Sequence, residues 1–290
     1  MLQRLSPCKV NFLLNILGKR EDGYHELETL FHPVPLTDEL TFTLDSESLQ
    51  MTCSLPGLPC DDTNLVVRAA RYFFQAVPTL APKVRIHLEK RIPLAAGLGG
   101  GSGNAAHTLL GLNELFGSPL ALPELHRLAA GLGSDVNFFL ETGPALATGR
   151  GENTVTLAPF EALKGCAIFL FHPGFGVATA WAFKALGQYP EALRGVPGRA
   201  ARLADTLRKG DLQEAGRQMY NSLETPVLVK YPVLQLYQEF LRKHGAFGAL
   251  MSGSGSTTFA LFNSLAQAQA AVEPFRASFG NAGWLQVVEM

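Results

Sequence analysis

The chain has 290 residues, 47% of them hydrophobic and 17% charged, with a formal net charge of −1. That length holds one large domain or two ordinary ones, and the balance is that of a compact protein with a sizeable core. The near-neutral charge and a pI of about 6.7 argue against a nucleic-acid binder or a polybasic membrane anchor.

In chain order, residues 9–17 alternate as a strand. Val10, Phe12, Leu14 and Ile16 form one face, and Lys9, Asn11, Leu13 and Asn15 the other. The apolar run "VNFLLNIL" is broken by Asn11 and Asn15, is too short to span a bilayer, and precedes no small-residue cleavage site. A cytoplasmic location is therefore expected. Asp22-Gly23 signals a turn before a further extended stretch. "ELTFTL" and "KVRIHLEK" alternate as strands, and between them "TNLVVRAARYFFQAV" has helical spacing behind a cap at Thr63. Helices are expected over about 103–116 and 123–131, then a short strand, "PALATGR".

From about residue 155 the texture changes. The buried-looking strand "CAIFLFHP" precedes amphipathic helices up to about Lys243. "FGALM", "TTFALF", a helix near 264–275 and "WLQVVEM" then predict an antiparallel sheet backed by helices. The expectation is two α+β domains, 1–155 and 156–290. Cys8, Cys53, Cys60 and Cys166 are scattered without a zinc-knuckle spacing, as expected of buried or inert thiols in a reducing compartment.

The densest signal is "PLAAGLGGGSGNAAHTLLGLNELF" at 93–116, in which 97–103 read GLGGGSG. Glycine permits positive φ and lets a ligand approach backbone N–H groups, and a helix start adds unpaired amides and the positive dipole end. Phosphate is the natural guest. The loop lacks the Gly-Lys-Ser/Thr of a Walker loop and the spacing of a dinucleotide fingerprint, which leaves a nucleoside triphosphate held by an unrelated loop. A second cluster, "MSGSGSTTF" at 251–259, also joins two elements through small residues and hydroxyls, and suggests a polyanion gripped from two sides.

Three segments together resemble the GHMP kinase superfamily of galactokinases and of homoserine, mevalonate and phosphomevalonate kinases. They are "SPCKVNFLLNILGKR" with its Pro-x-x-x-Asn, "PLAAGLGGGSGNAA", and "MSGSGSTTFALF". Within it, "KREDGYHELETLF" at 19–31 is similar to the signature of the 4-diphosphocytidyl-2-C-methyl-D-erythritol kinases, and the resemblance runs over essentially the whole chain. Cys8 stands where the family commonly has alanine, and Gly103 where it often has serine.

The resemblance implies a two-domain GHMP fold, with a ribosomal protein S5 domain 2-like N-terminal domain and a ferredoxin-like C-terminal domain. The implied activity is ATP-dependent phosphorylation of the 2-hydroxyl of a cytidyl-diphosphate sugar alcohol in non-mevalonate isoprenoid synthesis. Asp135 matches the catalytic base and Lys9 its partner. Asn11, Tyr24, His25, Phe31, Thr179 and Phe183 match substrate positions, with Tyr24 stacking on cytosine and His25 bonding its edge. On the ATP side the matches are Asn64, Leu65, Pro93, Leu98, Gly99, Gly100, Gly101, Ser102, Gly103, Asn104, Ala105, Gly253, Ser254 and Gly255. Mg2+ is expected with the nucleotide, no residue being assigned as its direct ligand. The partners implied are these small molecules alone, without nucleic acid or membrane, for a monomer or weak homodimer.

Overall fold

The computed structural model describes residues 1–290. Its packing resolves into two compact units, one of residues 1–8, 36–92 and 99–142, the other of 9–35, 93–98 and 143–290. The long strands β1 (Leu2–Lys19) and β2 (His25–Thr43) contribute to both. Compactness thus divides the chain by interleaved segments, whereas the sequence suggests a single cut near 155.

In the first unit, β2 is followed by β3 (Gln50–Cys53), α1 (Leu65–Ala76), β4 (Arg85–Glu89), α2 (Gly100–Leu115), α3 (Leu122–Leu132) and a 3-10 turn over Asn137–Leu140. β4 pairs antiparallel with β2 and parallel with β3, placing Leu40 opposite Leu88 and Phe42 opposite Ile86. All four side chains are buried, as period-two alternation requires of one face. α1 buries Val66, Val67, Ala69, Ala70, Phe73 and Phe74, a stripe of helical period. Its cap is Asn64 rather than the expected Thr63. Asn64 Oδ1 accepts from Val66 N at 2.9 Å, while Thr63 Oγ1 donates to Asp61. α2 starts at Gly100, ahead of the expected 103, because the glycine run itself forms the first turn. At Gly111 a Cβ would lie 2.6 Å from the Phe42 ring, so glycine lets α2 settle directly on β2.

The second unit continues with β5 (Ala145–Gly149), β6 (Asn153–Thr156), β7 (Ala167–His172), α4 (Thr179–Leu186), α5 (Pro190–Leu193), α6 (Arg199–Lys209) and α7 (Leu212–Gln218). Then come β8 (Tyr220–Asn221), α8 (Glu224–Lys230), α9 (Val233–Lys243), β9 (Gly248–Met251), β10 (Thr258–Phe262), α10 (Leu265–Ala270), α11 (Val272–Phe279) and β11 (Trp284–Glu289). The expected antiparallel sheet is present in the order β11-β7-β10-β9. β7 is buried along its whole length, which explains its unbroken apolar sequence. Phe169, Phe171 and Tyr237 pack around Phe275 with ring centroids 4.8–5.5 Å away. The first half of β2 pairs with β5, and β1 pairs parallel with the short β8.

All four cysteines are free. Cys8 and Cys166 are buried, Cys53 is half-buried and Cys60 is exposed. Desolvation, then the charges of Cys53 and Asp61, push the Cys60 thiol above the ordinary value. No helix is long and apolar enough to cross a membrane.

Glu224 opens α8 with its carboxyl turned inward, where it accepts from Met251 N at 2.8 Å and Gln238 Nε2 at 2.6 Å. Desolvation pushes this carboxyl up to about 7, opposed by those two hydrogen bonds and by Arg242. A carboxyl raised by folding holds its proton more tightly in the native state, so its contribution is present at acid pH and lost as pH climbs from its unfolded value through about 7. Urea unfolding should therefore show Glu224→Gln gaining roughly 2–3 kcal/mol over the parent at pH 8 and nothing near pH 4.5. A difference independent of pH would contradict the assignment.

Candidate active site

β1 is buried on both faces from Cys8 to Ile16, so its polar side chains need internal partners. Lys9 Nζ donates to Asn11 Oδ1 at 2.7 Å, confirming that the two share a face. Asn11 Nδ2 donates to Thr29 Oγ1 at 2.8 Å, and Thr29 Oγ1 donates to Leu13 O. The Lys9 ammonium also stands 4.9 Å from the centroid of the Phe31 ring. Lys9, Asn11 and Phe31, predicted as site residues, are thus one cluster. On the same strand Asn15 Nδ2 donates to Glu28 Oε1. Glu28 in turn accepts from Gly198 N and Arg199 N, both at 2.8 Å, so a carboxylate of β2 caps α6 where Gly198 has no side chain to do so.

The glycine segment divides by function. Gly97 (φ +78) and Gly99 (φ +68) hold the left-handed turns before α2. Gly99 is the N-cap, with no side-chain cap and no acidic residue in the first turn. At Gly101 a Cβ would meet only Leu65 Cδ1, at 3.7 Å, so this face of the first turn is open and bordered by a predicted nucleotide residue. Leu98 is buried, and its carbonyl accepts from Lys9 N at 2.9 Å. Gly103 points inward, since a Cβ there would come within 2.8 Å of Pro7 O, and its N–H is taken by Gly99 O. A serine at 103 would need that contact to give way. Ala105 is buried, and so is Asn104, whose Nδ2 donates to Ser6 Oγ and Asp38 Oδ2.

The second cluster clasps this segment. Ser252 Oγ donates to Gly97 O at 2.9 Å, Thr257 N donates to Ala96 O at 3.3 Å, and a Cβ on Gly97 would fall 2.1 Å from Ser252 O. Asn221 braces the cluster, its Nδ2 donating to Met251 O and Gly253 O at 2.9 and 2.8 Å. Ser254 Oγ shares a 2.9 Å hydrogen bond with Thr179 Oγ1, joining a predicted nucleotide residue to a predicted substrate residue.

Tyr24 is exposed, and the Arg150 guanidinium stands 4.7 Å from its ring centroid. His25 packs against Phe183 at 5.1 Å between centroids. Desolvation, then the Lys19 charge, hold its imidazole below the ordinary value. The neutral ring offers one donor and one acceptor. Asp135 lies in the first unit, half-buried in the turn between α3 and the 3-10 segment, and Lys9 lies in the second.

Sequence reasoning missed Asp38, Lys90, Asn221 and Ser252. For the first two a signal existed. Alternation places Asp38 on the face of Leu40 and Phe42, and Lys90 on that of Ile86 and Leu88, so an acid and a base share a core face.

The family models described as "GHMP kinases N terminal domain" and "GHMP kinases C terminal" match residues 64–144 and 203–281. A relative from Syntrophus aciditrophicus (strain SB) is 42% identical over 90% of this chain and 90% of its own length. One from Chlorobium phaeobacteroides (strain BS1) is 41% identical over 94% and 93%. Both bear the name 4-diphosphocytidyl-2-C-methyl-D-erythritol kinase. A crystal structure of 4-(cytidine 5'-diphospho)-2C-methyl-D-erythritol kinase, 36% identical, superposes with a TM-score of 0.82 over 100% of both chains. A mevalonate kinase from Methanococcus jannaschii shares the fold at 14% identity, with a TM-score of 0.76 over 100% of this chain and 98% of that one.

The close contact at Gly97 and the open space at Gly101 make opposite stability predictions. Gly97→Ala should cost about 2–4 kcal/mol, lowering the unfolding midpoint by roughly 3–7 °C. Gly101→Ala, in a helical turn with room for a methyl, should leave it unchanged or slightly raised. Equal midpoints in thermal scans would refute the clasp.

Proposed function

Because the chain belongs to the 4-diphosphocytidyl-2-C-methyl-D-erythritol kinase family of GHMP kinases, we propose that it transfers the γ-phosphoryl group of ATP to the 2-hydroxyl of 4-diphosphocytidyl-2-C-methyl-D-erythritol. This is a step of the non-mevalonate route to isoprenoid precursors. One structural observation carries the reading beyond kinship: the uncapped start of α2, free of acidic side chains, behind left-handed glycines at 97 and 99. Such a terminus suits a polyphosphate.

Phosphoryl transfer asks mainly for positioning and charge neutralisation. Gly99, Gly100, Gly101 and Ser102 offer amides and a hydroxyl to the phosphates, while Gly103, Asn104 and Ala105 support them from beneath. Asn64 and Leu65 border the adenine. Pro93 and Leu98 shape the approach, and Gly253, Ser254 and Gly255 keep the loop in place. Mg2+ would come with ATP and would supply neutralisation of phosphate charge, no residue of the chain being assigned as its direct ligand.

Asp135 accepts the hydroxyl proton as the substrate oxygen attacks the γ-phosphorus. The bond to the β–γ bridging oxygen breaks, and ADP leaves with that electron pair. Lys9, oriented by Asn11, favours the aspartate anion and the developing alkoxide. Tyr24 offers its ring to cytosine and His25 its two nitrogens to the base edge, beside Phe183; Phe31 and Thr179 complete the substrate side. We assign the nucleotide loop and catalytic pair to residues 1–155 and the remaining substrate contacts to 156–290, a division supported by family matches at 64–144 and 203–281. A cytoplasmic monomer or weak homodimer accords with this role.

A coupled ADP-release assay with the cytidyl substrate, mevalonate and homoserine tests the reading, with turnover expected for the first alone. Asp135→Asn should bind ATP almost as the parent does while turnover falls by roughly a hundredfold or more; undiminished turnover would remove Asp135 from the chemistry. Tyr24→Ala should weaken the cytidyl substrate far more than ATP, and equal weakening would displace cytosine from this ring.

A further inference from the structure

Asp38 is a fully buried carboxylate to which neither the sequence nor the proposed chemistry gives a task. Its Oδ1 accepts from Arg91 N at 2.7 Å and from Ile92 N at 2.9 Å. Its Oδ2 accepts from Asn104 Nδ2 at 2.9 Å and from the Lys90 ammonium, itself almost wholly buried. Residues 91 and 92 lead into the stretch that begins at Pro93 and carries the glycines of 97–103, and Asn104 follows the last of these in the second turn of α2. One carboxylate therefore grips the chain where the segment begins and where it ends. Lys90 Nζ also lies 3.1 Å from where a Cβ on Gly100 would stand, so the charge neutralising Asp38 sits under the first residue of α2.

We propose that Asp38 is the positioning residue of the nucleotide loop, a single buried anion that sets the separation and tilt of its two ends and so the aim of the α2 amides. The inference rests on the nucleotide reading above. Hydrogen bonds to a charged group are each worth more than neutral ones, and their loss inside the protein is not made good by water. Asp38→Asn keeps an acceptor for Arg91 and Ile92 but turns an amide toward the Asn104 amide and the Lys90 ammonium. The exit of the loop is released while its entry stays tied. Asn104→Ala cuts the same tether from the other side and leaves the Asp38–Lys90 pair whole, so it serves if Asp38→Asn does not fold.

The experiment is calorimetric titration of each folded variant with ADP and, separately, with the cytidyl substrate. Expected is a Kd for ADP raised roughly tenfold or more by either substitution, with the Kd for the cytidyl substrate within twofold of the parent. A general loosening of the fold would raise both constants together and overturn the inference, as would a folded variant binding ADP like the parent. If the parent itself bound no adenine nucleotide, the nucleotide reading would fail instead, so the two failures are told apart.

Discussion

Main-chain amides serve an anion only while the backbone carrying them is held still, and a run of glycines has no means of holding itself. Order must come from neighbours. Ser252 and Thr257 bond the carbonyls of Gly97 and Ala96, Asp38 bonds the chain at 91, 92 and 104, and Gly103 lies against Pro7 O. Side chains are absent where a ligand would approach and dense immediately behind. The glycines are needed for close approach on both sides, since Gly97 touches Ser252 as nearly as backbone can.

The same economy of side chains governs β1. Burying a lysine and asparagines in a strand covered on both faces is costly unless every polar atom is engaged. Lys9, Asn11, Thr29 and Leu13 O form a connected series that engages the first two of these side chains, while Asn15 donates to Glu28 and leaves its buried Oδ1 without a partner. Because each member of the series is fixed by the next, the ammonium has few directions open to it. Exposed pairs such as Arg208–Asp205 contribute little by comparison, since solvent screens them and long side chains lose entropy in holding one geometry.

Long elements with a clean period were legible from the sequence: the alternation of β1 and β4, the apolar stripe of α1 and the continuous run of β7. β8, of two residues, and the four-residue β3 and β6 were not, because so short a strand has no period and exists only through its partner. The start of α2 was misplaced because glycine lowers helix propensity, a local preference overridden by packing against Ile92 and Pro7. The roles proposed for Lys9 and Asp135 rest on kinship rather than on pattern. Asp38 was within reach of alternation alone, but a polar residue beside Glu39 in "LTDEL" looks like a solvated strand edge until its partners, 52 to 66 positions away, are known.

The Glu28 cap on α6 ties residues 170 and 171 positions apart. Closing so long a loop costs entropy that only later contacts can offset, so this helix start is among the non-local contacts that slow folding. A chain made from its N-terminus has β2 emerge well before Arg199. The acceptor therefore exists before the amides that need it, whereas a fragment beginning after β2 would present Gly198 and Arg199 to water with nothing to receive them.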